Sequence, residues 1–163
     1  MSKYVLSVLV ENHAGVLSRV SGLFSRRGFN IDSLTVCETH HPGQSRMTIV
    51  VDGDEHTLDQ IRKQLAKLVE VISIAHLDKA ESCRREMALI KVNAKGTDRA
   101  VIIETCDIFR AHIVDVAHES VIVEATGSEE KLDSLIRLLE PYGIIELVKT
   151  GLTAMQRGSG VLQ

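Results

Sequence analysis

The chain predicts an α+β protein built from two ferredoxin-like βαββαβ domains in tandem, each an antiparallel sheet with its helices on one face. Three observations carry that expectation. Apolar runs of strand length alternate with stretches whose apolar residues recur at helical spacing. The same order of elements is read twice along the chain. Between the two passes lies a polar, aperiodic stretch, Asp78-Lys79-Ala80-Glu81-Ser82. The expected domains are therefore residues 1–77 and 85–163, joined by a linker over 78–84.

In the first pass an apolar strand over residues 4–10 runs into Glu11-Asn12-His13-Ala14-Gly15-Val16-Leu17. A helix follows from about 15 to 27, with Val16, Leu17, Val20, Leu23 and Phe24 on one stripe of 3.6-residue period. Arg27-Gly28 ends it. Strands over 31–38 and 46–51 flank a hairpin tip at His40-His41-Pro42-Gly43. After Asp52-Gly53-Asp54 comes a second helix striped by Leu58, Ile61, Leu65 and Leu68, then a strand over 69–75.

The second pass has strands over 87–92, 113–118, 121–125 and 144–148. Its helices cover 98–109 and the segment carrying Leu132, Leu135, Ile136 and Leu139. Gly53, Leu58 and Asp59 recur as Gly127, Leu132 and Asp133 at one offset, and Ile31-Asp32 recurs as Val114-Asp115 at a larger one. A shorter second hairpin would produce that difference. The first strand is apolar on both sides, Leu6, Val8 and Val10 alternating with Val5 and Leu9, where a sheet with one wet face should alternate with polar residues. A second copy or a larger partner is expected to cover the other face. The tail Ala154-Met155-Gln156-Arg157-Gly158-Ser159-Gly160 is expected to be mobile or ordered by a partner.

Composition narrows the function. With 163 residues, 44% hydrophobic, 25% charged and a net charge of -3, the chain has no electrostatic reason to bind nucleic acid or an anionic membrane. No apolar run approaches the ~20 residues of a membrane span, and no leader precedes the first strand, so a cytoplasmic protein is expected. Three Cys without a C-x-x-C pair argue against a disulfide framework; Cys37 and Cys106 fall on a strand and a helix stripe, where buried inert thiols are the default. His40-His41 lacks a third ligand, and His112 and His118 share one face of a strand with Asp115 on the other, so no metal site is expected. Asp52-Gly53-Asp54-Glu55 lacks the ligand order of a calcium loop and reads as a helix cap. The first loop has no Arg to hold phosphate as acylphosphatase-like enzymes do. The strand over 46–51 has no aromatic on which an RNA-recognition module would stack bases. No nucleophile–base pair or Gly-rich phosphate loop is present, which points to a non-catalytic protein.

What remains is the turn at residues 12–17. A strand that runs straight into a helix start presents unpaired N–H groups and the positive end of the helix dipole, suited to a small carboxylate. Gly15 permits close backbone approach to such a ligand. Amide oxygens of Asn12 or Asn30 can accept from an ammonium, and Val16, Leu17 or Ile31 can supply an apolar wall. Each residue also has an ordinary role: Asn12 as a turn or cap residue, Asn30 as the turn after a helix stop.

The turn Asn12-His13-Ala14-Gly15-Val16-Leu17 resembles the ligand loop of ACT domains. A longer set of residues is more specific: Leu6-Ser7-Val8-Leu9-Val10-Glu11-Asn12, Leu17-Ser18-Arg19-Val20, Gly22-Leu23-Phe24-Ser25, Asn30-Ile31, Ser33-Leu34-Thr35-Val36 and Ser45-Arg46-Met47-Thr48-Ile49. These resemble the small regulatory subunit of acetohydroxyacid (acetolactate) synthase, over essentially the whole chain. The resemblance implies an N-terminal ACT domain that forms a homodimer or higher homo-oligomer and binds L-valine at the interface. Asn12 and Asn30 would come from opposite protomers, and the backbone from His13 to Leu17 would cradle the ligand. It further implies a C-terminal ACT-like domain that activates a separate large catalytic subunit in valine, leucine and isoleucine synthesis. Thiamine diphosphate, Mg and FAD would belong to that catalytic subunit and no cofactor to this one. The second half has Ala94-Lys95-Gly96-Thr97-Asp98 in place of the ligand turn and no clear equivalent of Asn30, so no valine is expected there. The alternative is a stand-alone amino-acid sensor acting on another enzyme or a transcription factor.

Overall fold

The computed structural model describes residues 2–162. Its element order is β1 (Ser2–Glu11), α1 (Val16–Arg27), β2 (Ile31–Glu38), β3 (Gln44–Gly53), α2 (Glu55–Leu65) and β4 (Val71–His76), followed by β5 (Ser82–Asn93), α3 (Asp98–Ile108), β6 (His112–Val116), β7 (Ser120–Gly127), α4 (Glu129–Leu139), a 3-10 turn (Glu140–Tyr142), β8 (Ile144–Lys149) and β9 (Thr153–Gln156). Two sheets form, ordered β2-β3-β1-β4 and β6-β7-β5-β8, with every pairing along them antiparallel. The βαββαβ order is thus present twice. Even the irregularities repeat: register shifts fall between Leu9 and Val10 and between Lys91 and Val92 on the two central strands. Two more fall at Ile31/Ser33 and Ile113/Asp115 on the first edge strands.

In the first unit the strand alternation sets the core. Leu6, Val8 and Val10 of β1 face the same side as Met47, Ile49 and Val51 of β3, and meet Val16, Val20, Leu23 and Phe24 of α1 and Leu58, Ile61 and Leu65 of α2. Leu68 lies beyond the end of α2 and packs on this core only partly. The second unit repeats the plan with Ala88, Ile90 and Val92, Val121, Val123 and Ala125, then Ile102, Cys106, Leu132, Leu135 and Leu139.

Several expectations are corrected. Strand β5 begins at Ser82, so only a short turn separates it from Leu77, and the linker expected over 78–84 is partly strand. The compact units are residues 1–84 together with 152–163, and residues 85–151; the tail belongs with the first unit rather than the second. Part of that tail is held by its own chain: β9 pairs with β5, and Arg157 N–H donates to Glu81 O at 2.8 Å. Leu152 and Ala154 pack against Val5, Val50 and Leu77 on the sheet face away from the helices. The chain's own end therefore covers part of the face for which a partner was expected. Cys106 is buried, and burial pushes its thiol up to about 11, whereas Cys37 sits exposed near the end of the edge strand β2, where its neighbours Val36 and Glu38 are exposed as well.

Candidate functional site

The turn between β1 and α1 is shaped by a glycine. Gly15 occupies the N-cap position of α1 at φ +91°, in the left-handed region that favours glycine, and contributes no side-chain cap. By contrast, Asp54 and Ser128 cap α2 and α4, accepting from Thr57 N–H at 2.7 Å and from Lys131 N–H at 3.3 Å. The first turn of α1 also carries no acidic residue. Helix geometry gives the N–H groups of Leu17 and Ser18 no intrahelical acceptor, so α1 offers them and its positive end to an anion.

Around that start, Asn12, His13, Ala14 and Gly15 are exposed and contiguous. Asn12 N–H donates to Gly43 O at 2.7 Å, which ties the turn to the tip of the β2–β3 hairpin. The His13 ring lies 3.2 Å from a Glu11 carboxylate oxygen. Leu17 is 45% exposed, so an apolar group can rest on it; Val16 is 3% exposed and belongs to the core, which removes its side chain from the expected ligand wall.

Asn30 and Ile31 lie elsewhere in the same chain. Glu11 stands opposite Gln44 and Ile31 opposite Val51, seven residues apart on β3, roughly 23 Å at the rise of an extended strand. One chain cannot bring Asn12 and Asn30 to one small ligand. Asn30 is exposed, and its amide NH2 donates to Asp32 Oδ1 at 2.9 Å, a bond that uses the amide's donor side and not its carbonyl oxygen.

Residues outside the sequence-derived set hold the turn in place. Glu11 N–H donates to Glu70 O at 2.9 Å, the Glu70 carboxylate accepts from the Arg19 guanidinium, and Arg19 N–H donates to Gly15 O at 3.0 Å. The available sequence signal was the lone carboxylate in Leu68-Val69-Glu70-Val71-Ile72.

The corresponding turn of the second unit is filled by its own chain. Arg99, second residue of α3 as Leu17 is of α1, donates through Nη2 to Ala117 O at 2.7 Å and His118 O at 2.6 Å, and through Nε to Ala94 O at 3.3 Å. A cation thus stands at the turn that corresponds to residues 12–15 of the first unit.

Comparison with known proteins places the chain. Residues 6–73 match the family described as AHAS small subunit-like ACT domain, and residues 85–158 match the one described as small subunit of acetolactate synthase. The chain belongs to the acetolactate synthase small-subunit family. The acetolactate synthase small subunit of Mycolicibacterium smegmatis is 54% identical over 155 residues, covering 95% of this chain and 91% of the relative. That of Mycobacterium leprae is 50% identical over 155 residues, covering 95% and 92%. The crystal structure of the acetolactate synthase small subunit from Thermotoga maritima superimposes with a TM-score of 0.92 at 42% identity, covering 98% of this chain and all of that one. A small-subunit family member with two ACT-type units accounts for the fold, the internal repeat and the branched-chain amino-acid setting.

Proposed function

We propose that this chain is the non-catalytic regulatory subunit of an acetolactate synthase, activating a large catalytic subunit and conferring feedback inhibition by L-valine. The observation that carries the reading is the glycine-capped start of α1, free of side-chain cap and acidic residue, beside exposed Asn12. Valine's carboxylate accepts from the N–H groups at that start. Its ammonium donates to the amide oxygens of Asn12 and of Asn30, and its isopropyl group rests on Leu17 and Ile31.

Because Asn12 and Asn30 stand at opposite ends of one sheet, the site takes each from a different copy. Strand β2 is a sheet edge. A second copy paired antiparallel along it brings the Asn30 end of one chain to the Asn12 end of the other. Valine then links two protomers and stabilises one dimer geometry over another, with a coupling of about 1–3 kcal/mol, or roughly 5–150-fold in affinity. The second unit binds no valine, as the Arg99 guanidinium in its turn supports, and instead serves activation of the catalytic subunit. Thiamine diphosphate, FAD and Mg are held by that catalytic subunit, not by this chain.

The test is calorimetric titration of the purified protein with L-valine, with Asn30→Ala as control. Saturable binding near one valine per chain or per interface, lost in the variant, is the expected result. Absence of binding by any branched-chain amino acid, with or without the catalytic subunit, would overturn the sensor reading.

A further inference from the structure

Glu70 and Val69 invert the usual preference of their side chains. Val69 is 90% exposed, whereas the neighbouring Glu70 is 6% exposed. Burying a carboxylate while a valine faces water is unfavourable unless the carboxylate is engaged. Here it accepts from Arg19, one turn into α1, while the backbone carbonyl of the same residue accepts from Glu11 N–H at the end of β1. One residue thus holds both sides of the turn at 12–15. Gly15 adds no side-chain cap, and among the described residues no atom outside its chain neighbours lies within 4 Å of where its Cβ would be, so no side chain of Gly15 helps to hold the turn.

We infer that Glu70 is a positioning residue for the effector turn, acting through Arg19 to set where the first N–H groups of α1 stand relative to Asn12. The inference rests on the reading of that turn as the amino-acid site. Glu70 touches no ligand in this scheme; it fixes the distance between two groups that do.

A double-mutant cycle on valine affinity tests it, using the full chain, Glu70→Gln, Arg19→Met and the double variant, each also melted thermally. The singles are expected to weaken valine binding about tenfold, and the double variant no further than either single, because each residue acts through the other. Ile61→Val, a mild truncation in the core of α2, serves as a control for lost stability. If it weakens valine binding as much as Glu70→Gln at an equal shift in melting temperature, the role is merely structural and the inference fails. Additive losses in the cycle, or wild-type affinity in Glu70→Gln, overturn it as well. The site reading fails separately, if the wild type binds no valine or Asn30→Ala binds it unchanged.

Discussion

Gly15 starts α1 in a backbone conformation that residues with a side chain disfavour. Its φ of +91° costs a side chain about 1–2 kcal/mol, while the space around its Cβ position is open. Gly15→Ala is therefore a strain test and Gly15→Asp a charge test. The aspartate would bring a carboxylate to the positive end of α1 and take the N–H groups proposed to receive valine's carboxylate. Gly15→Asp is expected to raise the valine concentration for half-inhibition of the reconstituted enzyme by at least about a hundredfold, roughly the top of the coupling range, with activation within about twofold of wild type. Inhibition curves on the two variants check this, and Gly15→Ala should shift far less. Loss of activation together with inhibition would contradict the proposed division of labour between the two units.

Among the elements, α2 and α4 each lay a side chain over the recurring glycines, Gly53 and Gly127. A Cβ on Gly53 would lie 2.9 Å from Thr57 Cγ2, and one on Gly127 would lie 2.5 Å from Lys131 Cδ. In each unit the side chain of the third helical residue folds back over the glycine that ends the preceding strand. The caps that follow, Asp54 and Ser128, differ in charge, and only Asp54 makes stability depend on pH. Hydrogen bonding from the Thr57 backbone N–H, then from the Thr57 side chain, holds the Asp54 carboxyl below its ordinary value of 3.8. A carboxyl lowered in the fold contributes stability that is complete above the unfolded value and is lost as pH falls through the folded one. The stability advantage of wild type over Asp54→Asn should accordingly be constant from neutral pH down to the upper carboxyl range and shrink below it. Thermal melts of both proteins across that range measure it.

For the molecule as a whole, the C-terminal segment completes the first unit. Val5 is 1% exposed, Val50 6% and Leu77 4%, although α1 and α2 lie on the other side of the first sheet; Leu152 and Ala154 pack against these three instead. Leu152 N–H also donates to Ser33 Oγ at 3.1 Å. Leu152 and Ala154 are thus part of the first unit's core. Leu152→Ala should lower the free energy of unfolding by about 2–3 kcal/mol, toward the lower end for a buried leucine truncation because 9% of the residue is already exposed. Urea unfolding followed by circular dichroism gives the number; a change below about 0.5 kcal/mol, the scale of a surface substitution, would mean that the tail is only laid against the sheet.

The order of the elements, the faces of α1, α2 and α4, and the existence of two related halves were legible from the residues alone, because helix and strand periodicities write burial into adjacent positions. The turn from Asn12 to Leu17 was legible for the same local reason: a strand end, a glycine and a helix start are consecutive. Tertiary structure decided the rest. It alone separates Asn12 from Asn30 along β3, folds Leu152 and Ala154 back onto Val5, joins Arg19 to Glu70 and seats Arg99 across the second turn. Those pairings join single residues far apart in the chain, and no repeating pattern announces a contact that is made once.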